Sequence, residues 1–271
     1  MRRFAFGFAF VFVSMLAGCK PATSESPESS SDRAASSACT LGEVETIDDA
    51  LELRCIAEHV WLFTALGETD SYGTMPANGL AIVSPRGTLL VDTAWTTAQG
   101  QQLLDWARTR GAPVHAAIVT HFHYDRLGGI AALLDAGLPV FASAATIELA
   151  RAQQAELDHL RVPDRELHTG SLAEVEWLAP GPGHSPDNIV VWHAESRTLF
   201  GGCFVKDAAA TSLGNLSDAD VEAWPGSLER TREAFSQAAI VVPGHGDAGT
   251  LDLLAHTLAL LDAERSKPVA D

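Results

Sequence analysis

The sequence predicts a layered α/β domain. Short apolar runs of strand length interleave with stretches of helical spacing in both halves of the chain. Many of those runs end in loops rich in glycine and proline. The residues suited to hold a metal sit in these loops, just after a strand or at the mouth of a turn. Loops at the carboxyl edges of strands are where sites in such folds are built.

His59 to Thr64 (His-Val-Trp-Leu-Phe-Thr) reads as a strand. Ala65 to Asn78 carries Gly67, Gly73, Pro76 and several polar residues, and reads as a turn or mobile loop. Gly79 to Val83 and Gly87 to Val91 are two strands joined by Ser84-Pro85-Arg86, a hairpin signal, and Asp92-Thr93-Ala94-Trp95 closes the second. Thr96 or Thr97 can cap a helix that runs to about Arg110, with Leu103, Leu104, Trp106 and Ala107 at helical spacing. Gly111-Ala112-Pro113 stops it, and Val114 to Val119 is a buried strand. A short helix over Gly129 to Ala136, a strand over Pro139 to Ala142 and a helix from Ala144 to about Leu157 follow. Leu172 to Leu178 alternates as a strand does, and Gly181 to Pro186 is a rigid loop. Asn188 to His193 and Thr198 to Phe200 are strands around a turn at Glu195-Ser196. Asp218 to Ser236 contains a helix that tolerates Pro225 only in its first turn. Ile240 to Val242 is the last strand, and Leu251 to about Glu264 the last helix.

The 271 residues suit one long domain, and a hydrophobic content of 46% is enough for a sizeable core. The net charge of −17 excludes the basic face that a nucleic-acid partner needs. At the N-terminus, Arg2 and Arg3 precede an apolar segment, Phe4 to Leu16, too short to span a membrane. Leu16-Ala17-Gly18-Cys19 resembles the lipobox of bacterial lipoproteins. The resemblance implies a signal peptide over 1–18, lipidation of Cys19 and a periplasmic protein held at a membrane by its lipid. Lys20 after the cysteine points to the outer membrane; the alternative is an ordinary secretory signal cleaved further on. Residues 19–40 are low in large apolar side chains and read as a disordered tether, with the domain over 41–271. Export means an oxidising compartment, where a disulfide between Cys39 and Cys55, close in sequence, is an expectation. Cys203 is then left over, either a metal ligand or an inert buried thiol.

His121-Phe122-His123-Tyr124-Asp125-Arg126 lies between the buried run that ends at Val119 and Leu127-Gly128-Gly129, where a helix can begin. Imidazole nitrogen and carboxylate oxygen are ligands that zinc accepts. If the chain stays extended, residues 121, 123 and 125 face one side. One such loop does not close a zinc site. His184, Cys203 and His245, each beside a glycine, are the candidate partners. Alone, each has a bland reading as a turn histidine or a buried thiol; three such loops together point to zinc. His59, His115, His168 and His193, and His159 and His256 in helical patterns, read as structural or exposed histidines.

Taken together, these pieces resemble the metallo-β-lactamases of class B, first subclass. The resemblance runs from about Val60 to Leu261. It rests on Thr120 to Arg126, Gly183 to Asn188, Gly202-Cys203-Phe204-Val205-Lys206, Leu213-Gly214-Asn215 and Pro243-Gly244-His245. The wider superfamily, with its glyoxalase-II-like thioesterases and lactonases, typically has a second histidine after the aspartate, where this chain has Arg126. It also bridges its metals with an aspartate where this chain offers Cys203. Both departures point to the β-lactamase branch.

The resemblance implies a four-layer αβ/βα sandwich with two zinc ions per chain. His121, His123 and His184 would hold one; Asp125, Cys203 and His245 would hold the other. Lys206 would face the substrate carboxylate and Asn215 the lactam carbonyl, making these two and Asp125 the catalytic residues. The loop from Gly67 to Pro76 would fold over substrate, with Tyr72 and Trp95 as further substrate-binding side chains. The implied reaction is hydrolysis of the lactam amide of penicillins, cephalosporins and carbapenems by a monomer. Zinc lowers the pKa of bound water toward ~7, supplying hydroxide as nucleophile, and a second zinc stabilises the leaving nitrogen. A zinc lactonase or thioesterase of the same fold is the alternative enzyme. A periplasmic zinc-binding protein without turnover is the other alternative, and Lys206 and Asn215 count against it.

Overall fold

The structure is a computed structural model that describes residues 39–155 and 160–267. The expected signal peptide, Cys19, most of the expected tether and His159 lie outside the described residues.

Two sheets carry the fold. In the first, β1 (Val44–Asp48), β2 (Leu51–Ala57), β3 (Val60–Thr69), β4 (Gly73–Ser84), β5 (Gly87–Val91), β6 (Val114–Ile118), β7 (Val140–Ala142) and β8 (Arg165–Glu166) lie side by side in chain order. Pairing is antiparallel up to β5 and parallel from β5 onward. In the second, β9 (Ser171–Leu172), β10 (Val175–Leu178), β11 (Val190–His193), β12 (Thr198–Gly202) and β13 (Ile240–Pro243) are neighbours in sequence order. The helices are α1 (Thr97–Thr109), α2 (Tyr124–Leu127), α3 (Ile130–Asp135), α4 (Ala144–Gln154), α5 (Trp224–Ala234) and α6 (Asp252–Arg265). None of the described helices is long and apolar enough to cross a membrane.

The two-residue period of the strands decides the layering. Val60 and Leu62 point between the sheets, against Ile82, Leu89 and Val91 of the first sheet and Val191, Phe200 and Val242 of the second. Trp61 and Phe63 are one step out of phase and face the other way, into a core shared with Leu103 and Trp106 of α1 and Leu133 of α3. The second sheet mirrors this: Val190, Trp192 and Val241 turn outward onto Trp224 and Leu228 of α5 and Leu254 and Leu261 of α6. The result is helices, sheet, sheet, helices. Fully burying one such side chain stabilises by roughly 1.5–3 kcal/mol.

Several elements differ from the sequence reading. Residues 65–78 are not a loop: β3 and β4 run on as a hairpin whose turn spans only residues 70–72. Pro76 is tolerated because the Leu66 amide opposite it donates to Ala50 O instead, so the Leu66–Pro76 pair calls on no proline N–H. Residues 172–178 split into β9 and β10 around Ala173, whose φ is 50°. The sequence reading missed β1, β2 and β8. Edge strand β1 is held by Glu45, which accepts hydrogen bonds from Trp106 Nε1 (2.7 Å) and from Arg110. A Cys39–Cys55 disulfide ties residue 39 to β2. The α1 cap forms as expected, with Thr96 accepting from Gln99 N.

Candidate metal centre

The first ligand loop leaves the end of β6 and is fixed from beneath. Asp92, at the end of β5, accepts from Thr120 N (2.8 Å) and Thr120 Oγ1 (2.9 Å). The chain then does not stay extended. His123 is the N-cap of α2 and Asp125 sits in its first turn. The extended conformation expected over residues 121–125 is therefore absent, yet a helical turn still brings a donor of Asp125 within 4.8 Å of one of His121.

The partners come from the second sheet. In the loop before β11, Asn188 Oδ1 accepts from Ser185 N (2.8 Å) and Ser185 Oγ (3.1 Å), which fixes the turn that carries His184. Ile189 N donates to Thr120 O (2.9 Å), joining this loop to the first. Cys203 follows β12 and His245 follows β13. Their loops touch at Gly244, where a Cβ would lie 2.5 Å from Cys203 N and 2.6 Å from its Sγ, so only glycine fits.

Two trios result. His123 Nδ1 lies 3.2 Å from His121 Nε2 and 3.0 Å from His184 Nε2. Cys203 Sγ lies 3.2 Å from His245 Nε2 and 3.5 Å from Asp125 Oδ2, which is 3.3 Å from His245 Nε2. Donors bound at about 2.0–2.3 Å to one tetrahedral zinc are roughly 3.3–3.8 Å apart, so each trio has the spacing and chemistry of a zinc-ligand set. Donor atoms of His121, Asp125 and Cys203 also lie within 4.8 Å of one another, so the trios adjoin.

Burial holds the imidazoles of His121 and His184 well below their usual range, helped by His123 beside the first and Lys206 beside the second. Both are therefore neutral at pH 7, the form that ligates. Burial opposes the Asp125 carboxylate, but the Arg126 guanidinium and His245 outweigh it and hold the group well below the usual carboxylate range. Burial also opposes a charged His245; Cys203 and Asp125 outweigh it and push that imidazole up to about 10. Metal must displace this proton to bind.

Arg126 is the residue the sequence reading undervalued. It is fully buried. Its Nη2 donates to Asp125 Oδ2 (2.6 Å), Cys203 Sγ (3.2 Å) and Gly244 O (3.0 Å), and its Nη1 to Asp92 Oδ2 (3.3 Å) and Asn78 O. Asn78 in turn donates to Pro243 O (3.0 Å) and Gly246 O (2.7 Å), gripping the His245 loop. Burial pushes the Asp92 carboxyl up to about 6 against the pull of Arg126 and Thr120. The signal available in the sequence was a charged residue placed directly at the end of an apolar strand, at Asp92.

A cavity of about 550 Å³ opens over the trios. Lys206, Asn215, Tyr72 and Trp95 all line it. Asn215 Oδ1 accepts from Ser217 N (3.0 Å), which leaves its amide NH₂ as the half available to a ligand. Trp95 is largely buried, and its Nε1 donates to Ala65 O (3.1 Å). A Cβ on Gly67 would lie 2.2 Å from the Trp95 ring, so the hairpin backbone rests directly on the indole. Gln99 Nε2 donates to Leu66 O (2.8 Å) and its Oε1 accepts from Trp95 N (3.1 Å). Trp95 and Gln99 thus clamp the root of the hairpin.

The sequence profile of the Metallo-beta-lactamase superfamily matches residues 72–245. A metallo-beta-lactamase type 2 of Bacteroides fragilis is 35% identical over 222 residues, 80% of this chain and 87% of that protein. One of Bacillus cereus is 38% identical over 207 residues, 75% of this chain and 80% of that protein. Among solved structures, a metallo beta lactamase from Erythrobacter litoralis superposes with a TM-score of 0.76 at 33% identity, covering 82% of this chain and all of the other.

Proposed function

The chain belongs to the metallo-β-lactamase superfamily, and from that premise we propose that it is a zinc-dependent β-lactam hydrolase of class B, first subclass. The observation that carries this is the pairing of the two trios, His121/His123/His184 and Asp125/Cys203/His245, under one cavity that also holds Lys206 and Asn215. Zinc, when bound, supplies a water of lowered pKa and a Lewis acid for the lactam.

The chain's own side chains do the rest. Lys206 offers a point charge to the substrate carboxylate. The Asn215 amide donates toward the lactam carbonyl, where negative charge develops. Asp125 takes up a hydrogen bond that orients the attacking water, and Arg126 behind it holds the carboxylate ionised for that task. Penicillins, cephalosporins and carbapenems are the proposed range, and two zinc ions per chain the proposed loading. A lactonase or thioesterase would share the fold. A zinc-storage protein would have little use for Lys206 and Asn215.

The test is hydrolysis of one member of each β-lactam class by zinc-loaded protein lacking residues 1–19, with and without chelator. Turnover that chelator abolishes and added zinc restores is expected. Zinc-loaded protein that hydrolyses none of the three overturns the reading, and lactones and thioesters become the substrates to try.

We also propose that residues 1–18 are a signal peptide, that residues 19–40 tether a lipidated Cys19 to a monomeric domain, and that the protein works in the periplasm, at the outer membrane. The Cys39–Cys55 disulfide agrees with an oxidising compartment. Cys19→Ala should release the protein from the membrane fraction; retention there would count against lipidation.

A further inference from the structure

Charge is divided across the cavity. Lys206 enters from the second-sheet side, with its backbone N–H bound to Thr257 Oγ1 (2.8 Å) and its Nζ 5.6 Å from the Trp224 ring centre. Asp70 enters from the opposite side, at the tip of the β3–β4 hairpin. Asp218 also lines the cavity, but its Oδ2 is taken up by His123 Nε2 (3.0 Å) and Ser217 Oγ (3.2 Å). Among the described residues the Asp70 carboxylate enters no ion pair or hydrogen bond.

The side around Asp70 is aromatic. Met75, Phe122 and Tyr124 line the cavity and pack on the core that contains Trp95, and Tyr72 stands exposed beside Asp70. Aromatic faces attract cations, and an exposed carboxylate adds a modest attraction of the same sign. The tip that presents them is closed on itself: Thr69 Oγ1 accepts from Tyr72 N (3.0 Å) and donates to Gly73 O (3.1 Å). Rigid presentation lets a weak charge discriminate, since less ordering entropy is lost on binding.

We propose that the cavity selects zwitterionic β-lactams, with the ring carboxylate toward Lys206 and a cationic side group, such as a quaternary ammonium, against Tyr72 and Asp70. This rests on the hydrolase reading above and names its substrate class.

The test uses two cephalosporins that differ only at the end of the acylamino side chain, one carrying trimethylammonium and the other tert-butyl. The two groups have the same shape and differ by one charge. For the zinc-loaded enzyme at low ionic strength, kcat/KM should favour the cation about three- to ten-fold, mainly through KM. Roughly 0.5 M salt should shrink the ratio, because the charge is exposed. In Asp70→Asn the ratio should fall to near that of aromatic contact alone, and in Asp70→Asn/Tyr72→Leu to about one. A wild-type ratio of one or less, or a ratio unchanged in Asp70→Asn, overturns the proposal. Turnover of neither compound overturns the hydrolase reading itself, and this proposal with it.

Discussion

His121, Asp125 and Cys203, in the floor of side chains beneath the cavity, are buried, and every one of them is held by a neighbour with a formal charge or a buried hydroxyl. Asp70, Ser71 and Tyr72, at the tip of the hairpin above, are exposed and are held through the β3–β4 pairing, the Thr69 hydroxyl and the clamp at the root. The two regions are joined along β4, where Pro76 O bonds His245 Nδ1 and Asn78 bonds Pro243 O and Gly246 O. The difference separates two tasks. Ligand geometry needs positions fixed by several bonds at once, since a misplaced ligand costs the metal. Substrate selection needs a surface that faces water before substrate arrives, and a hairpin tip anchored at a fixed root offers that.

If the division is right, damage to the floor should strike kcat and stability, and damage to the hairpin should strike KM. Cys203→Ser should have the largest effect. It removes one ligand of the second trio, and hydrolysis should fall more than about 100-fold while one zinc equivalent is lost in equilibrium dialysis. A variant that keeps both metals and most of its turnover would erase the distinction.

Arg126→Met comes next. It strands Asp125 and Asp92 as buried charges without their partner, which should cost about 3–5 kcal/mol by urea unfolding. Activity should drop about 10- to 100-fold even in zinc-saturated protein. Arg126→Lys keeps the charge and loses the fork, and should fall between.

Asp92 gives the floor a pH signature. Its folded-state pKa, about 6, lies above that of an unfolded aspartate. Its contribution is therefore fully present below about pH 4 and lost as pH rises through about 6, on the order of 3 kcal/mol across that window. In zinc-free protein, the stability advantage of wild type over Asp92→Asn should shrink between pH 4 and 6.5. Parallel pH profiles for the two proteins would show that Asp92 is not the group responsible.

The smallest effect belongs to the hairpin root. Trp95→Phe keeps an aromatic ring under Gly67 but loses the hydrogen bond to Ala65 O, worth about 1 kcal/mol, together with part of the buried indole's packing. KM should rise a few-fold with kcat unchanged. Faster hydrogen exchange confined to residues 65–75 would locate the loosening, and a kcat defect equal to the KM defect would place Trp95 with the floor instead.

The apolar strands before each ligand loop are local patterns, so a layered α/β domain was legible in the residues themselves, whereas the αβ/βα order came with the family resemblance; Val60 to Phe63 are apolar throughout, and only the structure divides them between two cores. Legible too were the identities of the residues that the two trios gather, because zinc accepts few side-chain types and these sat beside glycines at strand ends. What the sequence did not yield depends on partners far away along the chain. The hairpin over residues 65–78 looked like a loop because its glycines and Pro76 break the local strand signal; pairing along the whole of β3 overrides it. Arg126 stood in the sequence only as a departure from the wider superfamily's pattern, with no contacts assigned to it. Only the meeting of Asp92, Asn78, Cys203 and Gly244 around it, from segments up to 118 residues apart, turns it into a buried cross-link. Local periodicity fixes which face a side chain takes; which charges end up together out of water is decided only when the two sheets close on each other.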